Sequence, residues 1–191
     1  MYLFFDTETT GLPRNYHAPI SDLDNWPRLV QLAWLTYDKN GQKINGSSFI
    51  IKPEGFIIPE EASSVHGITT DMALADGKNL EKILVKFAET VKDSKIIVAH
   101  NISFDEKIIG AEFLRKKILH DLFESIRVCT KEESTDYCQL PGNYGYKWPR
   151  LSELHKVLFK EDFTGAHDAL ADVEACARCF FELCKRGVIQ G

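Results

Sequence analysis

The chain opens on an apolar run, Tyr2-Leu3-Phe4-Phe5, that passes into Asp6-Thr7-Glu8-Thr9. This predicts a buried strand over residues 2–8. Leu29 to Tyr37 and Ser48 to Lys52 are also strand-like, and Asp38-Lys39-Asn40-Gly41 between them carries hairpin turn chemistry. Three strands in sequence predict an antiparallel meander. Residues 13–28 between the first two strands read as a long polar loop with embedded aromatics.

The period then changes. Leu80, Ile83, Leu84, Phe87, Ala88 and Val91 recur at helical spacing. A short strand over Lys95 to Ala99 leads to a helix from Ser103, its expected cap, to Lys116. Ser125 to Cys129 reads as a further strand. Leu151, Leu154, Leu158 and Phe159 predict a short helix opened after Pro149. The last helix runs from Asp168 to Arg186, with Val173, Cys176, Ala177, Phe180, Phe181 and Cys184 as its inward stripe. Gly187 is placed to stop it. Three strands followed by alternating helices and strands give a mixed α/β sheet with helices packed on it.

Length makes this one domain over residues 1–191. The 44% hydrophobic and 27% charged content is that of an ordinary globular protein. No apolar run reaches the roughly 18 residues needed to span a bilayer. There is no basic leader or cleavage site, so a cytoplasmic location without membrane is expected. The five cysteines are odd in number and read as reduced thiols. Cys176 and Cys179 fall on the apolar stripe, which favours core packing over a metal site. A net charge of −5 argues against charge-driven coating of DNA. It leaves room for an enzyme whose acids hold metal ions. Arg115-Lys116-Lys117 is the one basic triplet and reads as a solvated helix face.

The candidate chemistry lies in five residues. Asp6 and Glu8 stand two apart on a strand, so they project to one face, where their repulsion asks for a hard divalent cation. Asp105 falls in the first turn of a helix after a short strand, at the crevice where α/β sheets bind ligands. Taken alone, it reads first as a complement to the helix dipole there. Asp172 borders the buried stripe of the last helix, where a lone carboxylate needs a partner. Asp168 reads as the helix cap. His167, on an approach containing Gly165 and Ala166, suits a general base, since a free imidazole titrates near 6.5.

Four motifs in order carry a family resemblance: Phe5-Asp6-Thr7-Glu8-Thr9-Thr10-Gly11-Leu12, Val65-His66-Gly67-Ile68-Thr69, His100-Asn101-x-x-Phe104-Asp105 and His167-Asp168-Ala169-x-x-Asp172. They span nearly the whole chain, which resembles the DnaQ-like exonucleases in their DEDDh branch, as in the polymerase III epsilon proofreading subunit. The resemblance implies an RNase H-like fold: a five-stranded mixed sheet with helices on both faces. It implies that Asp6, Glu8, Asp105 and Asp172 hold two Mg²⁺ or Mn²⁺ ions and that His167 deprotonates the attacking water. Two such ions clamp the attacking and leaving oxygens of an in-line phosphoryl displacement. The products would be 5′-mononucleotides released from a DNA 3′ end, single-stranded or frayed. Thr9, Leu12, Glu61, Val65, His66 and Phe104 would meet the terminal nucleotide.

An exoribonuclease or oligonucleotide-degrading enzyme with the same site is the close alternative, and a silent nucleic-acid-binding module the remote one. The resemblance suggests a DNA polymerase or repair protein as partner and leaves the oligomeric state open. The chain's end at Gly191 speaks against a dedicated replicative subunit, which joins its polymerase through a C-terminal extension. Loop 13–28 and segment 130–150 depart from compact proofreading domains, so substrate preference does not transfer.

Overall fold

The computed structural model describes residues 1–163 and 167–190. The expected approach through Gly165 and Ala166 and the end at Gly191 lie outside them. Strand β1 (Tyr2–Thr9) is the centre of a five-stranded sheet. It pairs antiparallel with β2 (Leu29–Tyr37), which pairs antiparallel with β3 (Lys43–Ile50). On its other side β1 pairs parallel with β4 (Ile96–Ala99), which pairs parallel with β5 (Ile126–Cys129). The order β3-β2-β1-β4-β5 is the mixed five-stranded sheet expected.

Alternation along β1 and β2 divides the core. Leu3, Phe5, Leu32 and Trp34 face α3 (Leu80–Lys92) and α4 (Ile102–Lys116). Phe4, Ala33 and Leu35 face α7 (Leu151–Phe159) and α8 (Ala169–Lys185). Helices thus cover both faces. Val173, Phe180 and Leu183 of α8 are fully buried, each contributing about 1.5–3 kcal/mol of transfer free energy. Phe180 and Phe181 join Tyr2, Phe4 and Tyr37 in one aromatic cluster. Cys176 and Cys179 are buried free thiols in this core.

Several expectations need correction. Strand β3 begins at Lys43, five residues before the predicted start, because its first half is exposed and polar. An edge strand is held by its backbone ladder, which hydropathy does not register. The hairpin turn forms as predicted, with Asp38 Oδ1 accepting from the backbone N–H of Asn40 and Gln42. Ser103 does not cap α4; the preceding Asn101 does the turning, at φ 84°, in the left-handed region that Asn tolerates. Two short helices, α1 (Glu60–His66) and α2 (Thr70–Asp76), fill a stretch left unassigned from the pattern. Short helices α5 (Thr130–Glu133) and α6 (Thr135–Cys138), then a hairpin of β6 (Pro141–Gly142) and β7 (Gly145–Tyr146), were also missed.

The basic triplet is not a solvated face. Arg115 turns inward and donates to the carbonyls of Leu23 and Trp26 at 2.6 and 2.8 Å. It shares the fully buried Glu112 with Arg28. Loop 13–28 is thereby fastened to α4, with Trp26 buried and its indole N–H donating to the Pro19 carbonyl. Lys116 pairs with Glu54.

Candidate active site

The alternation that buries Phe4 against α8 also turns Asp6 and Glu8 toward α8, at the end of β1. The register shifts between Glu8 and Thr9, so that Thr9, the last residue of β1, pairs with Leu29. Asp172 comes from the first turn of α8 and meets them. The helix is started by Asp168, whose Oδ1 accepts from the N–H of Leu170 and Ala171 at 3.0 and 3.1 Å, as a cap should. Gln31, opposite Glu8 on β2, holds the same helix start: its Oε1 accepts from the Ala169 N–H at 3.3 Å.

Asp105 reaches the site from α4 across the other face of β1. One of its oxygens accepts from both the N–H and the hydroxyl of Thr7, at 3.0 and 2.7 Å. Thr7 lies between Asp6 and Glu8 and points the opposite way. One strand therefore presents two acids on one side and fastens a third from the other.

Burial and neighbouring negative charge raise the proton affinity of all four carboxylates. Burial first, then the charges of Asp105, Asp172 and Glu8, hold Asp6 well above the ordinary carboxylate range. Burial, with Asp172 and Asp105 close by, pushes Glu8 up to about 8. Asp105 is pushed up to about 7, burial outweighing the two bonds from Thr7. Asp172 is raised by burial, with the His167 contact opposing. These are the signs of an acid cluster whose charge is not yet balanced.

His167 is exposed and sits at φ 72°, a left-handed conformation unusual for a non-glycine residue. Its backbone N–H donates to Asp172 Oδ2 at 3.0 Å. Ligand atoms of Glu8, His167 and Asp172 all lie within 4.8 Å of one another. Asp6 and Asp105 do not enter that tight set. Asp6, Asp172 and His167 do line one cleft of about 490 Å³, together with His100, Lys131 and Trp148.

The remaining candidates divide. His66 ends α1, where Gly67 at φ 76° reverses the chain. Its Nδ1 accepts from the Ile68 N–H, which leaves the proton on Nε2. That buried Nε2–H lies beside the Thr9 backbone without completing a bond. Burial, chiefly, lowers the His66 pKa. Thr9 is buried, whereas Leu12 and Val65 keep large exposed apolar surfaces. Glu61 is exposed on the first turn of α1. Phe104 packs partly into the α3/α4 core, which limits the ring face it can offer.

A family model described as "Exonuclease", of the RNase T type, matches residues 3–180. The chain belongs to this exonuclease family. More specifically, it belongs with the DnaQ-like 3′–5′ exonucleases, and so with the phosphodiester hydrolases. The PolC-type DNA polymerase III of Staphylococcus aureus (strain bovine RF122 / ET3-1) is 28% identical over 189 residues, covering 95% of this chain and 11% of its own. Among solved structures, E. coli exonuclease I in complex with a dA16 oligonucleotide superposes with TM-score 0.77 at 22% identity, covering 97% of this chain and 41% of that one. A zinc-ion-bound form of the E. coli exonuclease I–ssDNA complex gives TM-score 0.78 at 23% identity, covering 97% and 40%. The chain thus spans about a tenth of its curated relatives and two-fifths of these structural neighbours. The structural likeness identifies the fold as RNase H-like.

Gln31 and Lys131 were not among the expected site residues, and Thr7 and His100 stood in the motifs without a task of their own. Thr7 and Gln31 did leave a signal. A polar residue in an apolar strand must find a partner when buried, and both are buried. Lys131 left none, and the motif gave His100 no task, because their neighbours come from distant parts of the chain. Among the described residues, no helix is long and apolar enough to cross a membrane.

Proposed function

We propose that residues 1–191 act as one exonuclease domain that removes 5′-mononucleotides from the 3′ end of DNA. The observation that carries this reading is the acid cluster at the end of β1, where ligand atoms of Glu8, His167 and Asp172 lie within 4.8 Å of one another and Asp6 and Asp105 stand near enough to feel their charge. Four oxygen-donor side chains whose proton affinities are raised by burial and mutual repulsion suit hard divalent cations such as Mg²⁺ or Mn²⁺. Asp6, Glu8, Asp105 and Asp172 would hold two of them. When bound, such ions supply Lewis-acid charge at the scissile phosphate and a more acidic water.

The protein's own groups do the rest. His167 accepts the proton of the attacking water. Its backbone bond to Asp172 keeps the ring at the acid cluster. Thr7 fixes Asp105. Thr9 and His66 receive the terminal sugar, with Leu12 and Val65 packing on sugar or base and Glu61 at the 3′-hydroxyl. DNA is favoured because the solved neighbours include complexes with DNA oligonucleotides and the curated relatives are DNA polymerases. A polymerase partner enters this reading through those same relatives. The site is taken to work in the cytoplasm.

The test is one panel of 5′-labelled single-stranded DNA, duplex DNA, mismatched duplex and RNA, each with Mg²⁺ and with EDTA. Shortening of DNA from the 3′ end in Mg²⁺ but not EDTA is expected. Equal or faster loss of RNA would move the assignment to an exoribonuclease, and no shortening of any substrate would remove it.

A further inference from the structure

The catalytic scheme leaves one cleft wall without a task. After α6 the chain forms the β6–β7 hairpin and then runs extended to α7. Along it Tyr144 is fully exposed, Tyr146 is 51% exposed and Trp148 is 62% exposed. Tyr146 and Trp148 stand two apart on the extended stretch, which sets their side chains on one side, and Tyr144 stands in the hairpin turn just before them. All three line one shallow depression on this segment. Trp148 also lines the catalytic cleft, which joins the two.

A two-residue hairpin is marginal by itself, yet this one is fastened at its base. The Pro149 carbonyl accepts from His100 Nε2 at 3.0 Å, so Nδ1 accepts in turn from the Thr130 hydroxyl at 2.9 Å. Burial, first, pushes the His100 pKa down to about 4, which keeps the ring neutral. Lys131 Nζ lies 4.1 Å over the Trp148 ring and also bonds Asn101. The Lys147 N–H donates to the Leu140 carbonyl, and its ammonium pairs with Glu153. The rings are therefore held out from the body on a stiff support.

The charges beside them select the occupant. Lys131 and Arg150 line the cleft; among the described residues Lys131 makes no salt bridge, and Arg150 has the nearby Glu153, which is shared with Lys147. Their positive charge sits across from Asp6 and Asp172. Exposed rings interleaved with cations, continuous with a cleft for phosphodiester chemistry, match a strand of unpaired bases. Each base offers a π-face, and each phosphate a negative charge. Duplex bases are stacked on one another and offer no such face.

We propose that the segment 139–150 is a stacking arm that grips the single-stranded stretch leading into the site. It rests on the nuclease reading above. Tyr144, Tyr146 and Trp148 would stack on successive unpaired bases, while Lys131 and Arg150 neutralise the phosphates between them.

The test compares wild type with Tyr144→Ala/Tyr146→Ala, Trp148→Ala and Trp148→Phe. Binding of fluorescein-labelled oligo(dT) is followed by anisotropy in Ca²⁺, so that it does not depend on turnover. Kinetics are measured on oligo(dT) and on the p-nitrophenyl ester of thymidine 5′-monophosphate, which occupies the scissile position alone. The Ala variants should weaken oligo(dT) binding about 5- to 100-fold, as expected for one or more lost stacks, and raise KM rather than lower kcat. Trp148→Phe should recover most of the loss. Affinity equal to wild type in the Tyr pair would overturn the arm and leave its rings to a protein partner. Equal weakening on blunt duplex would overturn the preference for unpaired bases. If wild type cleaves neither substrate, the nuclease reading fails instead, and the anisotropy still decides whether the arm holds a single strand.

Discussion

On the acid floor of the site, Asp6, Glu8, Asp105 and Asp172 stand on three regular elements, β1, α4 and α8, with Asp6 and Asp172 lining the cleft itself. On the rim, Trp148 lines the cleft, and Tyr144 and Tyr146 stand beside it in the adjoining depression, facing solvent. The floor is half-buried to buried, like-charged and held by hydrogen bonds to the carboxylates of Asp105 and Asp172. The rim is aromatic and cationic, and is held by bonds at its base and by Lys131 over the Trp148 ring. The difference follows from what each must do. Carboxylates that repel stay together only if rigid elements force them. Rings that receive a flexible strand need support behind them and open space in front.

The comparison breaks most sharply at the floor. Asp6→Ala or Asp172→Ala should abolish nucleotide release, read with labelled single-stranded DNA in Mg²⁺. Both variants should melt no lower than wild type in EDTA, because each relieves repulsion. Full activity in either would remove the acids from the site. His167→Ala should lower kcat by roughly 10²- to 10⁴-fold, the range for a lost general base. A wild-type rate in that variant would leave His167 a backbone contact only.

Thr7→Val keeps the shape but removes the hydroxyl bond to Asp105. A charge-assisted bond is worth about 1.5–3 kcal/mol, so a fall of about ten-fold or more in kcat/KM is expected. Mn²⁺ titration by calorimetry should weaken in parallel. Unchanged Mn²⁺ affinity would mean that Asp105 needs no fastening.

The smallest effect concerns the metal-free protein. Glu8 and Asp105 titrate near 8 and 7 when folded, above their ordinary values. Between the unfolded and folded values the native state binds more protons, so stability falls as pH rises. The melting temperature in EDTA should therefore drop between pH 6.5 and 8.5, and Mg²⁺ should restore it at the upper pH. A flat profile would mean that the acids are already balanced without metal. The rim has no such cluster, and its aromatic variants should leave this profile in place.

Much of the floor was legible in the chain. Alternation in β1 put Asp6 and Glu8 on one face, and the stripe of α8 put Asp172 at its border. These are short-range periodicities, and backbone geometry enforces them. The same reasoning recognised the Asp168 cap and the buried cysteines. It failed where the partner is remote. Asp105, taken alone, read first as a dipole partner, and its bond to Thr7 spans 98 positions. Arg115 read as solvated because the Leu23 and Trp26 carbonyls that it serves are invisible locally.

The sequence by itself determined the strand and helix periods, the order of the acids and the family they announce, because each is written within a few residues. The tertiary structure alone decided that Thr7 would hold Asp105, that Arg115 would pin loop 13–28 and that His100 would brace the aromatic arm at Pro149. Those bonds join segments far apart in the chain, and only packing of the sheet and helices brings their polar groups within reach.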